Sequence, residues 1–451
     1  MMQTPIADFV RAYAEKSGVR MHMPGHKGTP ILGCEPFDIT EIAGADALFV
    51  ADGIIGESEQ NAAALFGTAK TLYSTEGSSQ CIRAMLFLCA TAAGKPPKGR
   101  RNYLLAGRNA HKTFSFALAM TDLDVTWLLP EKSPSVCSCR ITAEQVEHAL
   151  ANAEYLPVAV YLTTPDYLGD RLPLAEIAQV CHRYGVILCV DNAHGAYLHF
   201  LKQSFHPMDQ GADLCCDSAH KTLPVLTGGA YLQISRRAPQ AFADGAKRAM
   251  AMFGSTSPSY LILASLDLCN RYLAMDFRRE LAASAARVDR VKQTLRTKGW
   301  EVLDTEPMKI TVRCAGDLLA SRLRLCGIEC EYADAEYLTL MPSVKTTETD
   351  FVRLLAAMEQ NEDLCAQEPL PFAFSPRLPP REMTVREAIF APSEQIAVAE
   401  SIGRICAAPT VSCPPAIPIV VPGERIDAQS AALLTHYGMT QVCVVKKNAE
   451  A

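Results

Sequence analysis

In ADLCCDSAHKTLPVLTGGA, residues 212–230, an apolar run ends at Asp217 and is followed four residues later by a lysine, Lys221. An ammonium beside a buried strand is costly unless it is paired, deprotonated or used covalently. The stretch therefore asks for a partner or a ligand. Upstream, short β-rich runs recur at TLYS (71–74), YLLAG (103–107), VTWLL (125–129), VAVYLTT (158–164) and VILCVD (186–191). Helix-length segments lie between them, among them SQCIRAMLFLCATAA (79–93) and LAEIAQVCHRYG (174–185), the latter ending at Gly185 where a helix C-terminal glycine falls. Such alternation predicts an α/β fold, a mostly parallel sheet covered by helices.

The chain has 451 residues, 49% hydrophobic and 20% charged, enough for a large core and two or three domains. We expect an N-terminal arm over 1–50, a large domain over 51–275 and a smaller α/β domain over 276–367; residues 259–298 read as long helices, after which EVLDTEPMKITVRC (301–314) begins the second α/β unit. The proline-rich EPLPFAFSPRLPPREM reads as a linker over 368–383, ahead of a C-terminal segment over 384–451 with a helix around SEQIAVAESIGRICA (393–407). A net charge of −6 offers no basic stripe, so nucleic acid and anionic membranes are poor partners and a small molecule is the better one. No apolar run approaches a bilayer span, the first 18 residues read as an amphipathic helix, and the expected compartment is the cytoplasm. Seventeen cysteines sit in apolar runs without zinc-site spacing, which predicts reduced core thiols and no metal.

Ligands in open α/β sheets collect at the carboxyl ends of strands. Asp191 directly follows VILCV, Lys221 follows the strand at 212–217, and TLYS runs into TEGSSQCIRAM, placing Gly77, Ser78 and Ser79 where a helix opens. Backbone N–H groups at a helix start favour an anion. Taken singly, Asp191 serves equally as a chain cap, Lys221 as a surface residue and EGSS as a plain helix cap. Together, a phosphate cradle, a strand-end carboxylate and a lysine are what pyridoxal phosphate requires.

These residues also carry a family resemblance. MHMPGHKG (21–28), DITEIAGADALF (38–49), EGSSQCIRAM (76–85), GRNAHKT (107–113), DNAHGA (191–196), SAHKTL (218–223) and PPAIPIVVPGERI (414–426) resemble, in order across almost the whole chain, the bacterial ornithine/lysine/arginine decarboxylases in their compact form. The resemblance implies the aspartate aminotransferase type of pyridoxal-phosphate fold (fold type I), with a large domain, a smaller α/β domain and a short C-terminal domain. It implies Lys221 as the Schiff-base lysine, Asp191 as partner of the pyridine nitrogen, His111 stacked on the cofactor ring, and Ser78, Ser79 and Ser218 on the phosphate. His194 and His220 would contact substrate carboxylate or phosphate, Thr163 or Thr164 the ring hydroxyl or phosphate, and Lys221 or His220 would reprotonate Cα. A homodimer or higher homo-oligomer is implied, with His26 and Lys27 near the cleft.

The implied reaction decarboxylates a basic amino acid to an amine that feeds polyamine metabolism. Arginine is favoured by the short architecture, with lysine and ornithine as alternatives. A distal cation needs an acidic partner, for which Glu41 and Glu424 are candidates. Departures from the family pattern are Glu76, Gln80, Cys81 and Ile82 around the phosphate segment and Ala416 in place of a glycine. The rival readings are an aminotransferase or aldolase-type lyase on the same fold, or a cofactor-binding inactive homologue.

Overall fold

The computed structural model describes residues 2–16, 18–133, 135–365, 376–410 and 415–447. In chain order its strands are β1 Lys70–Ser74, β2 Tyr103–Gly107, β3 Asp124–Leu128, β4 Ala159–Thr163, β5 Ile187–Asp191, β6 Leu214–Asp217, β7 Ala230–Ile234, β8 Glu301–Val302, β9 Ile310–Arg313, β10 Tyr332–Ala333, β11 Tyr337–Leu340, β12 Ser393–Ala397 and β13 Gln441–Val445. The helices are α1 Pro5–Glu15, α2 Ile54–Phe66, α3 Gly77–Ala92, α4 Lys112–Thr121, α5 Ala143–Ala151, α6 Leu174–Arg183, α7 Ala219–Thr222, α8 Gln240–Met252, α9 Tyr260–Met275, α10 Phe277–Thr297, α11 Gly316–Leu325, α12 Glu348–Glu359, α13 Val385–Phe390 and α14 Ala428–His436.

Seven strands form one sheet in the order β1-β7-β6-β5-β4-β2-β3. β5 runs parallel to β6, with Asp191 opposite Cys216, and β2 runs parallel to β3. The six strand-like runs of the sequence are all in it. β7, which the sequence pattern does not announce, is antiparallel to β1 and β6. It follows Gly228 and Gly229, and glycine is required at 228: its φ is +98°, and a Cβ there would meet the Thr75 carbonyl oxygen at 2.7 Å.

Two compact units divide the chain: Met1–Lys95 with Glu154–Leu162 and Leu174–Arg279, and Pro96–Ala153 with Thr163–Pro173 and Glu280–Ala451. In the first, β5 and β6 are buried on both faces, as the apolar runs around Leu188, Val190 and Leu214 require of central strands, each such side chain contributing about 2 kcal/mol. α6 buries Leu174, Ile177, Ala178 and Cys181, the spacing of one helix face, and Gly185 (φ +68°) lies just beyond its end. α1 buries Ile6, Ala7 and Val10, and the Ala7 N–H donates to Asp267 of α9 at 3.0 Å.

The second unit holds an antiparallel sheet in the order β10-β11-β9-β8 and the antiparallel pair β12-β13. Here one expectation is corrected: SEQIAVAESIGRICA is not a helix. Residues 393–397 form β12 against β13, followed by a single 3-10 turn over Val398–Glu400. The pairing packs Val398, Cys406, Val442 and Val444 into one apolar cluster, a tertiary gain that overrides local helix preference. The linker expected over 368–383 lies outside the described residues as far as 375. Beyond it, Arg377 pairs with Asp427 and Arg381 with Asp124. Among the described residues no helix is long and apolar enough to cross a membrane, and the cysteines are unpaired and mostly buried.

The second unit also carries a pH-sensitive group. Asp166 is buried, accepts from the N–H groups of Gly169 (2.8 Å) and Asp170 (2.9 Å), and burial together with Asp170 pushes its carboxyl up to about 7. The folded chain therefore keeps a proton that the unfolded chain loses near pH 4, so this group's contribution falls as pH rises from about 4 through 7. Asp166→Asn, which retains the acceptor oxygen, should leave stability at pH 4 nearly unchanged and raise it by about 4 kcal/mol at pH 8. Urea midpoints at the two pH values measure this; an equal effect at both would contradict it.

Candidate active site

Lys221 is carried by α7, a single helical turn directly after β6. Its Nζ lies 2.9 Å from His194 Nε2, and His194 is 4% exposed. Two nitrogens share a hydrogen bond only if one offers a lone pair, so the contact is a route for a proton between Lys221 and His194. Sequence reasoning named His194 but not this role.

Asp191 ends β5 and is 2% exposed. Burial raises its carboxyl above the usual range; Lys221 draws it back down, helped by the Ala193 N–H at 3.2 Å, the Cys216 thiol at 3.5 Å and the Tyr161 hydroxyl at 3.3 Å. Neither Tyr161 nor Cys216 is singled out by the sequence, because each sits inside an apolar strand. Next to this group, Asp217 accepts from Asn192 Nδ2 (2.5 Å), Gln233 Nε2 and His206 Nε2 (3.2 Å). His206, Cys215 and Asp217 bring potential metal-ligand atoms within 4.8 Å of one another. These hydrogen bonds fix the loop that leaves β5 through Asn192.

The expected phosphate residues converge. Ser218 Oγ donates to Ser78 Oγ at 2.8 Å, and Ser78 and Ser79 lie in the first turn of α3, where a helix supplies no acceptor for its own N–H groups. Gly77 behaves differently from expectation. Its N–H donates to the Gly228 carbonyl at 2.7 Å, so it contributes conformation (φ +71°) more than a donor. The departures from the family pattern are accommodated: Glu76 is exposed and accepts from the Ser255 N–H, while Gln80 is buried between Ser74 Oγ (2.6 Å) and the Met250 carbonyl (2.8 Å). His220 Nδ1 is 3.0 Å from the Gly229 carbonyl, which anchors its ring to the loop before β7.

In the second unit, His111 caps α4, its Nδ1 accepting from the Thr113 N–H at 3.2 Å. Thr163 Oγ1 at the end of β4 is shielded from solvent with no hydrogen-bond partner among the described residues, and Thr164 Oγ1 accepts from the Leu172 N–H at 3.0 Å. Glu424, expected to meet a substrate cation, already has a protein one. Its carboxylate accepts from Arg108 at 3.0 Å and from the Val421 N–H at 2.7 Å, and a buried carboxylate so paired is a structural element of the C-terminal segment. Ala416 takes φ +57°, the left-handed conformation for which glycine is preferred. In the first unit, His26 bonds Asp38 (3.2 Å) and Gly28 N–H (3.0 Å), Lys27 donates to the His22 carbonyl (2.6 Å), and Glu41 is exposed.

With that arrangement in hand, the chain matches the family model for the Orn/Lys/Arg decarboxylase major domain over residues 4–316, and that for the C-terminal domain over 371–445. The chain belongs to the Orn/Lys/Arg decarboxylase family. Family membership makes it an enzyme that decarboxylates a basic amino acid. It is 29% identical to an arginine decarboxylase of Halalkalibacterium halodurans, covering 96% of this chain and 93% of that one, and 27% identical to an arginine decarboxylase of Bacillus subtilis over the same shares. Among solved structures, a lysine decarboxylase of Francisella novicida superposes with a TM-score of 0.80 at 18% identity, over 98% of this chain and 79% of that one, which shows the common fold.

Proposed function

We propose that this decarboxylase uses pyridoxal phosphate at Lys221, takes arginine in preference to lysine or ornithine, and works in the cytoplasm as a homodimer whose amine product feeds polyamine synthesis. The observation that carries the reading is the grouping of Lys221, His194 and buried Asp191 at the carboxyl ends of β5 and β6. The residues fit the cofactor: the donor set pairs an amine and a buried carboxylate with hydroxyls at a helix start.

Bound there, pyridoxal phosphate supplies the electron sink that takes up the electron pair left behind when the α-carboxylate departs as carbon dioxide. Lys221 would hold the cofactor through its side-chain amine. Asp191 holds a negative charge at the ring nitrogen, a role that needs the ionised carboxylate. Ser78, Ser79 and Ser218 receive the phosphate with the positive end of α3. His194 takes or returns the proton on Lys221 Nζ, which fits Lys221 to reprotonate the substrate carbon. His220 is assigned to the substrate side.

Arginine is supported by the relatives named arginine decarboxylase. Glu41 remains the candidate for the guanidinium, since Glu424 is engaged by Arg108. The homodimer is supported by exposed apolar side chains in the N-terminal segment, where Val19, Met21, Ile31 and Leu32 are each more than three-quarters exposed. A second copy of the chain is the occupant we assign to it; Met21→Ser with Leu32→Ser should shift the sedimenting species toward monomer, and an unchanged dimer would remove this surface from the interface.

A panel of amino acids with analysis of both carbon dioxide and amine tests the function. Agmatine from arginine should form fastest. Keto acids without carbon dioxide would indicate transamination instead, and no product from any basic amino acid would overturn the reading.

A further inference from the structure

We infer that Tyr161 and Cys216 are positioning residues that hold the Asp191 carboxylate from the strands on either side of it, Tyr161 gripping Oδ2 and Cys216 gripping Oδ1. The inference rests on the proposed role of Asp191 at the ring nitrogen and deepens it.

β5 lies between β6 and β4 in the sheet. Cys216 is directly opposite Asp191 in the parallel register, and its Sγ–H reaches Oδ1 at 3.5 Å. From β4, the Tyr161 hydroxyl donates to Oδ2 at 3.3 Å. Both donors are wholly buried, with Val160, Leu162, Leu214 and Cys215 among their neighbours in the two strands. A phenol in such a strand carries a desolvation cost that a phenylalanine would avoid, and Asp191 offers the acceptor that offsets it. With each oxygen gripped from a different strand, the carboxylate has one fixed orientation, and a carboxylate retains lone pairs for a further donor.

Among the described residues, the titratable groups facing Asp191 include Lys221 on α7, Tyr161 on β4, Cys215 and Cys216 on β6 and, on α3, Cys81. Burial and the Asp191 charge push the Tyr161 hydroxyl and the Cys216 thiol far up, so both stay protonated donors throughout the working range. Lys221 and the donors oppose the burial that favours the protonated acid. Taking away a donor leaves burial less opposed, so Asp191 holds its proton to higher pH.

The test compares Tyr161→Phe, Cys216→Ala, Cys216→Ser and Asp191→Asn in two measurements. In the holoenzyme, Tyr161→Phe should move the acid limb of the kcat profile up by about one pH unit, roughly a tenfold loss of kcat below that limb, with KM changed less than about twofold. Cys216→Ala should shift it less, and Cys216→Ser, whose hydroxyl restores a donor, should bring it back. In the cofactor-free protein, the melting temperature of Tyr161→Phe should fall further below wild type at pH 8 than at pH 5, because a raised carboxyl weighs against the fold only where it must ionise. An unshifted acid limb and a constant melting gap, with Asp191→Asn inactive, would overturn the inference and leave the role of Asp191 standing. Normal turnover by Asp191→Asn would overturn that role and this inference together.

Discussion

Lys221→Ala should lower decarboxylation by about a thousandfold or more while the chain remains folded, since the variant removes the amine at the centre of the site. Lys221 stands at hydrogen-bond distance from His194 and is the cation that offsets the buried charge of Asp191. On the proposed reading two losses coincide: the amine assigned to the cofactor and the proton route to His194. Steady-state assays with arginine, alongside far-ultraviolet circular dichroism, separate these from unfolding. A variant that keeps a tenth of wild-type turnover would remove Lys221 from the chemistry. Added ethylamine should restore part of the activity, as an amine of similar size entering the vacated space.

Asp191→Asn should cost about a hundredfold in kcat, with cofactor content largely retained. An amide has the shape of the carboxylate without its charge, so it cannot supply the negative charge that the proposed role of Asp191 requires. Stability should move the other way. The folded carboxyl lies above its unfolded value, so the ionised form costs stability as pH rises through the folded value, and asparagine removes that cost. At pH 8 the variant should melt no lower than wild type. Lost activity with maintained or raised melting temperature identifies an electrostatic role; lost activity with a collapsed melting temperature would assign Asp191 to the fold.

The strands that frame this site were legible because each is a continuous apolar run ending in a polar residue, as at VILCVD and ADLCCD, and a strand buried on both faces has no other pattern to offer. β7 was not, because AYLQI follows a glycine pair that reads as a loop and its partners β1 and β6 are set by long-range pairing. SEQIAVAESIGRICA has the composition of a helix, and only β13, more than forty residues on, makes its first part a strand. The same limit governs the site. Lys221, Asp191 and the serines stand at element ends, where polar residues are conspicuous. Tyr161 and Cys216 belong to apolar runs and are visible only once β4, β5 and β6 lie side by side. Glu424 was misread for want of its partner Arg108, 316 residues away in the sequence.

The most direct measurement is borohydride reduction of the purified protein loaded with pyridoxal phosphate, followed by proteolysis and mass spectrometry of the pyridoxyl-bearing peptide. The account predicts a single modified peptide spanning SAHKTL, with the added mass on Lys221. Modification centred on any other lysine, or none at all, would contradict it.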